Sequence, residues 1–145
     1  MTLKQDVIFP GDRVFCNQYE SSVLGRKWES YGKEKNHEWY RGGTLFCNGA
    51  SVYIKIHHQS LLRTGDTLQG KHCFEDFASS VGVDIKEYRG ENHIFNSVEY
   101  LADCSDLQQK MTFCRTGTHH QNQAERAIQT VVCWVRTLLV DATIH

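Results

Sequence analysis

Thr118-His-His-Gln-Asn-Gln-Ala-Glu-Arg-Ala-Ile-Gln-Thr130 is the stretch that decides the fold of this chain. It leads into a helical pattern, and Asn122 is a residue type favoured at helix N-caps. Apolar residues then recur at helical spacing: Ala124, Ile128, Val131, Val132, Val135, Leu138 and Leu139. The pattern predicts a helix over about Asn122–Ala142 that carries Glu125 in its first turn. Its apolar stripe is either core or a dimer face.

Upstream of this helix, alternating apolar residues predict five strands: Val14–Tyr19, Thr44–Cys47, Val52–His57, Val83–Tyr88 and Lys110–Cys114. Asn48-Gly49, between the second and third strands, is typical of a short hairpin. A helix is predicted from Thr64 or Asp66 as N-cap to Gly82 as terminator, and another over Ser97–Gln109. The first of these should bury one face: Leu68, Cys73, Phe74, Phe77, Ala78 and Val81. Residues 21–43 predict a long, mostly irregular connection or a loose hairpin.

The order of these elements is three strands, then helix, strand, helix, strand and helix. Periodicity alone supports an α/β fold with one mixed sheet. The order is also that of an RNase H-like fold, in which a mixed five-stranded sheet is flanked by helices.

Composition places the chain among single globular domains. It has 145 residues, 40% of them apolar, and a net charge of -1, so overall charge neither supports nor forbids nucleic-acid binding. No apolar run approaches the length of a membrane span, and Lys4, Gln5 and Asp6 stand where a signal peptide needs apolar residues. We therefore expect a nuclear or cytoplasmic protein that is neither secreted nor membrane-bound.

Cysteine and histidine spacing argues against a structural metal site. The six cysteines are scattered, with no C-x-x-C pair, which favours reduced thiols that pack as small apolar residues. His57 and His58 are adjacent on a predicted strand and point to opposite faces, so they do not suit one zinc ion.

Four segments resemble the catalytic core of copia-type retrotransposon integrases, in the family's order along nearly the whole chain. Gln121-Asn-Gln-Ala-Glu-Arg-Ala-Ile-Gln-Thr130 resembles the family's "QNGVAERxIQT" motif, and Tyr88-Arg-Gly-Glu-Asn-His-Ile-Phe95 resembles "RSDNGxEF". Asp12–Ser21 resembles the first strand, and Thr44–Ser51 resembles the "FxDxxS" hairpin. The resemblance implies one catalytic-core-like domain over 1–145, with an insert-like connection at about 21–43 and a C-terminus shorter than the family's.

The resemblance also implies the chemistry of a site. Such enzymes join DNA strands with two Mg²⁺ or Mn²⁺ ions held by three carboxylates, because these hard cations prefer anionic oxygen. The matching positions here are Asn17, Glu91 and Glu125, of which Glu91 and Glu125 are the implied metal ligands. The loop and helix start that lie near DNA in the family would correspond here to His119, His120, Gln121, Asn122 and Arg126.

The sequence departs from the family pattern at four points. Asn17 stands where the first aspartate belongs, and Glu91 replaces the second. His93 stands in place of a glycine, and Asn122–Glu125 is one residue shorter than its counterpart. These departures predict that strand transfer is abolished or strongly reduced, chiefly through Asn17, and that metal binding is weak.

Three interpretations remain open at this point. The chain is a weak DNA-joining enzyme, or a non-catalytic module that binds DNA or an intact integrase subunit, or a retroelement remnant without function. Homodimerisation is a further option for the apolar stripe. The mixed basic and aromatic segment Arg26–Arg41 suits a nucleic-acid surface, but its glutamates favour a solvated insert.

Overall fold

The computed structural model describes residues 9–25, 39–51, 53–114 and 123–144. Its strands are β1 (Val14–Gly25), β2 (Tyr40–Asn48), β3 (Ile54–Gln59), β4 (Glu87–Gly90) and β5 (Lys110–Phe113). Its helices are α1 (Thr64–Ser80), α2 (Val98–Asp106) and α3 (Gln123–Ile144), with one 3₁₀ turn at Ile94–Asn96.

The five strands form one mixed sheet in the order β3-β2-β1-β4-β5. β1, β2 and β3 pair antiparallel, while β4 pairs parallel with β1 and β5 parallel with β4. A mixed five-stranded sheet flanked by three helices is an RNase H-like arrangement, so the predicted fold class is confirmed.

The sheet buries both faces because successive strand residues point to opposite sides. On one side, a cluster around α1, α2 and the central strands contains Val14, Cys16, Phe46, Phe74, Tyr88, Phe95, Tyr100 and Cys104. On the other side, Phe15, Leu45 and Cys47 pack against Ala124 and Ala127 in the first turns of α3. Small alanines let α3 approach the sheet at the end where the candidate site lies.

The β1–β2 hairpin is longer than predicted. Its residue pairs run from Val14↔Asn48 to Glu20↔Gly42 and resume at Gly25↔Tyr40 after an irregularity. Residues 21–25 and 40–43 are therefore strand, so the loose hairpin is the correct alternative there and the irregular connection is wrong. Residues 26–38 lie outside the described residues.

Two other elements differ from the prediction. Residues 83–86 alternate like a strand, yet only Glu87–Gly90 pairs with neighbours, because the partners β1 and β5 reach only that far. The N-cap of α1 is Arg63, without a side-chain cap, rather than Thr64 or Asp66. On the predicted buried face of α1, Phe74 and Ala78 are buried, whereas Cys73, Phe77 and Val81 are exposed.

The predicted start of α2 and the predicted end of α1 agree with the structure to within about one residue. Ser97 caps α2 by accepting a hydrogen bond from the Tyr100 backbone N–H. Gly82 follows α1 with a φ of 76°, which is a conformation suited to glycine after a helix end. The β2–β3 hairpin closes with Asn48 N donating to Tyr53 O at 2.8 Å, so the connection is longer than a two-residue turn. Among the described helices, none is long and apolar enough to cross a membrane.

Candidate active site

The candidate site lies where β1 passes the carboxyl end of β4, beside the start of α3. Parallel pairing places Val14 opposite Tyr88 and Phe15 opposite Arg89. Asn17, within β1, and Glu91, directly after β4, each come two residues after the last of these pairs. The parallel pairing of β1 with β4 thus brings two of the three predicted positions to the same region of the sheet.

Asn17 shares a face with Phe15, and that face packs against α3. Its side chain is partly buried, and its Oδ1 accepts the backbone N–H of Gln18 at 2.9 Å. The amide oxygen is therefore engaged by its own strand. It offers no negative charge to the site.

Glu125 is in the first turn of α3, next to the fully buried Ala124, and is itself partly buried. The contact of Ala124 with the β1–β2 side of the sheet fixes where the helix starts. An acid in this position also interacts favourably with the positive end of the helix dipole.

Cys114 lies close enough to both Glu91 and Glu125 for their charges to affect the pKa of its thiol. Its backbone N–H donates to Gly90 O at 2.9 Å, which places the thiol beside the end of β4. Burial raises the pKa of the Cys114 thiol, the charge and hydrogen bond of Arg89 lower it, and the charges of Glu91 and Glu125 raise it further. Glu91 and Glu125 therefore act on one thiol, and an arginine lies among them.

Sequence reasoning missed the roles of Cys114 and Arg89. Arg89 was visible in the Tyr88–Phe95 segment, and Cys114 stands at the end of a predicted strand, but neither residue type signals a site by itself. Their proximity depends on the parallel pairing of β4 with β5.

The remaining predicted residues divide into two groups. Arg126 is exposed on α3, where its charge is available to solvent. His119, His120, Gln121 and Asn122 lie outside the described residues, as does the predicted N-cap role of Asn122.

The residues present do not fit a two-metal centre. Within the described ranges, no group of three or more His, Cys, Asp or Glu side chains is placed to hold a metal ion. Two carboxylates and one engaged amide supply too little negative charge for two divalent cations.

The fold is that of integrase catalytic cores, and 158 solved chains match it significantly. The HTLV-2 integrase catalytic core domain in complex with magnesium matches in its dimeric form with a TM-score of 0.54 and 13% identity, over 75% of this chain and 63% of that one. Its trimeric form matches with a TM-score of 0.53 and 12% identity, over 74% and 62%.

A simian T-cell lymphotropic virus intasome in complex with PP2A regulatory subunit B56 gamma matches with a TM-score of 0.64 and 12% identity. That match covers 97% of this chain and 44% of the other. The chain thus spans less than two thirds of the length of each of these structures. No protein-family model and no curated protein matches the chain.

Proposed function

We propose that this chain is an integrase-like domain, derived from a copia-type element and spanning 1–145, that binds DNA and is impaired in metal-dependent strand transfer. The observation that carries the proposal is Asn17. It lies within β1 on the face that meets α3, two residues beyond the last pair with β4, and its amide oxygen accepts the Gln18 backbone N–H.

The charge at this position decides whether the site can work. A carboxylate in place of Asn17 would supply anionic oxygen to Mg²⁺ or Mn²⁺, whereas a neutral amide supplies only a dipole. With Glu91 and Glu125 alone, binding of either ion is expected to be weak. The site then carries one negative charge fewer than a site with three carboxylates.

Glu91 adds a second, smaller defect. Its side chain is one methylene longer than that of aspartate, which displaces the carboxylate by about 1 Å or more from an aspartate's position. A displacement of about 1 Å can lower a rate by about a hundredfold. Together, the neutral side chain of Asn17 and the longer side chain of Glu91 argue for an inactive enzyme rather than a slow one.

The test is a DNA strand-joining assay in Mg²⁺ and in Mn²⁺, which compares the natural chain with Asn17→Asp plus Glu91→Asp. We expect joining, and tighter Mn²⁺ binding by calorimetry, only for the double variant. Gln69→Glu adds the same charge at an exposed position of α1, on the other side of the sheet, and should change neither readout.

Joining by the natural chain would contradict the reading of Asn17. If the double variant stays folded but neither joins DNA nor gains Mn²⁺ affinity, the site assignment is wrong. Calorimetry is needed because strand transfer can require parts of an integrase beyond the region matched here.

A second candidate function is a non-catalytic module that binds another integrase subunit or a second copy of itself. The last three turns of α3 favour it, because they leave large apolar side chains uncovered among the described residues: Val132, Trp134, Val135, Leu138, Leu139 and Val140. Exposed apolar surface on this scale is typical of a protein interface. A third reading, a remnant without function, would be supported by loss of cooperative unfolding.

A further inference from the structure

We propose that the cleft between α3 and the β1–β3 face of the sheet accepts an unpaired nucleobase of a DNA strand that lies at the candidate active site. This inference rests on the proposed function, because it requires that the chain binds DNA. The cleft has a volume of about 150 Å³. Its lining is Tyr19, Leu45, Ile56, His58, Ile128, Val131 and Val132.

One row of residues across the sheet builds the rim of the cleft. Tyr19 of β1 pairs with Gly43 of β2, and Gly43 pairs with His58 of β3. A Cβ on Gly43 would lie 2.7 Å from Tyr19 Oη, so only glycine leaves room for the tyrosine to cross β2. Tyr19 Oη and His58 Nδ1 are 2.7 Å apart as a result.

A third ring extends the same group. The Tyr40 ring centroid lies 5.4 Å from that of His58, and the Tyr19 ring meets His58 edge-on at 6.4 Å. Flat rings at the rim and aliphatic side chains in the wall suit a flat, largely apolar group. Nucleobases stack on such rings without regard to sequence, because every base has a π-face.

The charge state of the rim favours a base over a phosphate. Burial raises the pKa of Tyr19 to about 12, and burial lowers the pKa of His58. Both side chains are therefore uncharged at neutral pH. An uncharged rim gives a phosphate no ionic attraction, whereas the ring nitrogen of His58 that faces away from Tyr19 can hydrogen-bond a base edge.

The position of the cleft connects it to the candidate site. Tyr19 follows Asn17 by two residues on the same face of β1, so the two are about 7 Å apart along the strand. A single nucleotide spans that separation. A strand whose sugar-phosphate backbone reaches Asn17 can thus place the adjoining base at Tyr19.

The test measures the affinity of the chain for three duplexes. One is blunt, one carries a short single-stranded overhang with 2-aminopurine, and one carries the same overhang with an abasic site in that position. We expect the overhang with the base to bind at least about fivefold more tightly than its abasic counterpart, which is the lower end for one base-aromatic stack. The 2-aminopurine fluorescence should fall on binding.

Two variants and one control locate the effect. Tyr19→Ala should remove the preference for the base and the loss of fluorescence. Val132→Trp fills the cleft but keeps both rings, so it should do the same even if Tyr19→Ala fails to fold. Tyr53→Ala removes a tyrosine that is 42% exposed and stacks on Phe77, on the other side of the sheet, and should leave the preference intact.

The outcomes separate this inference from the proposed function. Binding of all three duplexes with equal affinity overturns the base site and leaves DNA binding standing. Failure to bind any DNA overturns both. A preference for the base that survives Tyr19→Ala and Val132→Trp places the base elsewhere and also overturns the inference.

Discussion

Lys71 is a lysine whose side chain has no exposed surface, which is rare for a charged residue. Its Nζ lies 2.5 Å from Glu75 Oε1 and 2.5 Å from Asp103 Oδ2, and 5.1 Å from the centroid of the Tyr88 ring. The ammonium group therefore ties α1 to α2 and β4 inside the core. Asp103 has a second basic partner in His72, at 2.8 Å.

We predict that Lys71→Ala lowers the free energy of unfolding by about 3–5 kcal/mol, because it removes the ammonium group that pairs with Glu75 and leaves Asp103 with His72 alone. Lys86→Ala is the matched control. Lys86 is 71% exposed and 3.5 Å from Asp12, so its loss should cost less than about 1 kcal/mol. Urea denaturation measures both, and equal losses would refute the buried network as a source of stability.

The same network predicts a dependence on acid. Burial alone would raise the pKa of Asp103, but the hydrogen bonds and charges of Lys71 and His72 outweigh it and hold that pKa below its usual value of 3.8. A depressed carboxyl pKa contributes stability that is complete above the unfolded value and is lost as pH falls through the folded one. We therefore expect the urea concentration at the unfolding midpoint to decrease as the pH is lowered below about 4. Asp103→Asn should flatten this part of the profile, and an unchanged slope would exclude Asp103 as its source.

At the scale of elements, α1 meets β3 through a glycine. A Cβ added to Gly70 would lie 2.7 Å from Cδ2 and 3.1 Å from Cβ of His57, so the helix rests on that histidine. A glycine inside a helix weakens it by about 1 kcal/mol relative to alanine. The role of Gly70 here is to permit the close approach.

We predict opposite effects for two glycines of the same helix. Gly70→Ala should destabilise by about 1–3 kcal/mol, because His57 must move. Gly65→Ala meets no atom within 4 Å and should stabilise by up to about 1 kcal/mol, through helix propensity. The melting temperatures of the two variants test this prediction. A higher melting temperature for both would show that α1 can shift away from His57 without cost.

Elements with strong local signals were predictable, and those defined by distant partners were not. The stripe of α3 and the cap at Ser97 are local, and both elements form close to their predicted bounds. β4 was misplaced because strand ends depend on pairing with β1 and β5. Burial of Lys71 follows from the positions of Glu75 and Asp103, which hydropathy does not encode.

The residues of the candidate site also differ in whether a local sequence pattern indicates them. Asn17, Glu91 and Glu125 came from motifs in their order along the chain, and the first two each lie two residues beyond the last pair of β1 with β4. Cys114 and Arg89 join them only through the β4–β5 pairing, so no local pattern could indicate them.

At the scale of the molecule, the uncovered face of α3 predicts self-association. Leu138 is 67% exposed on this face, so a glutamate there would place a charge in any interface that forms. We expect sedimentation to show a dimer for the natural chain and a monomer for Leu138→Glu. Thr137→Glu puts the same charge on an adjacent exposed position that points away and should leave the dimer intact. A natural chain that sediments as a monomer would contradict this use of the face.

The packing of α3 on the sheet also bears on how the chain is made. β1, β2 and β3 are neighbours in sequence and can pair while synthesis continues, since domains form from the N-terminus onward. The sheet face that carries Phe15, Leu45 and Cys47 then remains exposed to solvent until Ala124 and Ala127 have been synthesised and pack on it. A nascent chain therefore exposes this apolar surface to other proteins until α3 has been synthesised and packs on it.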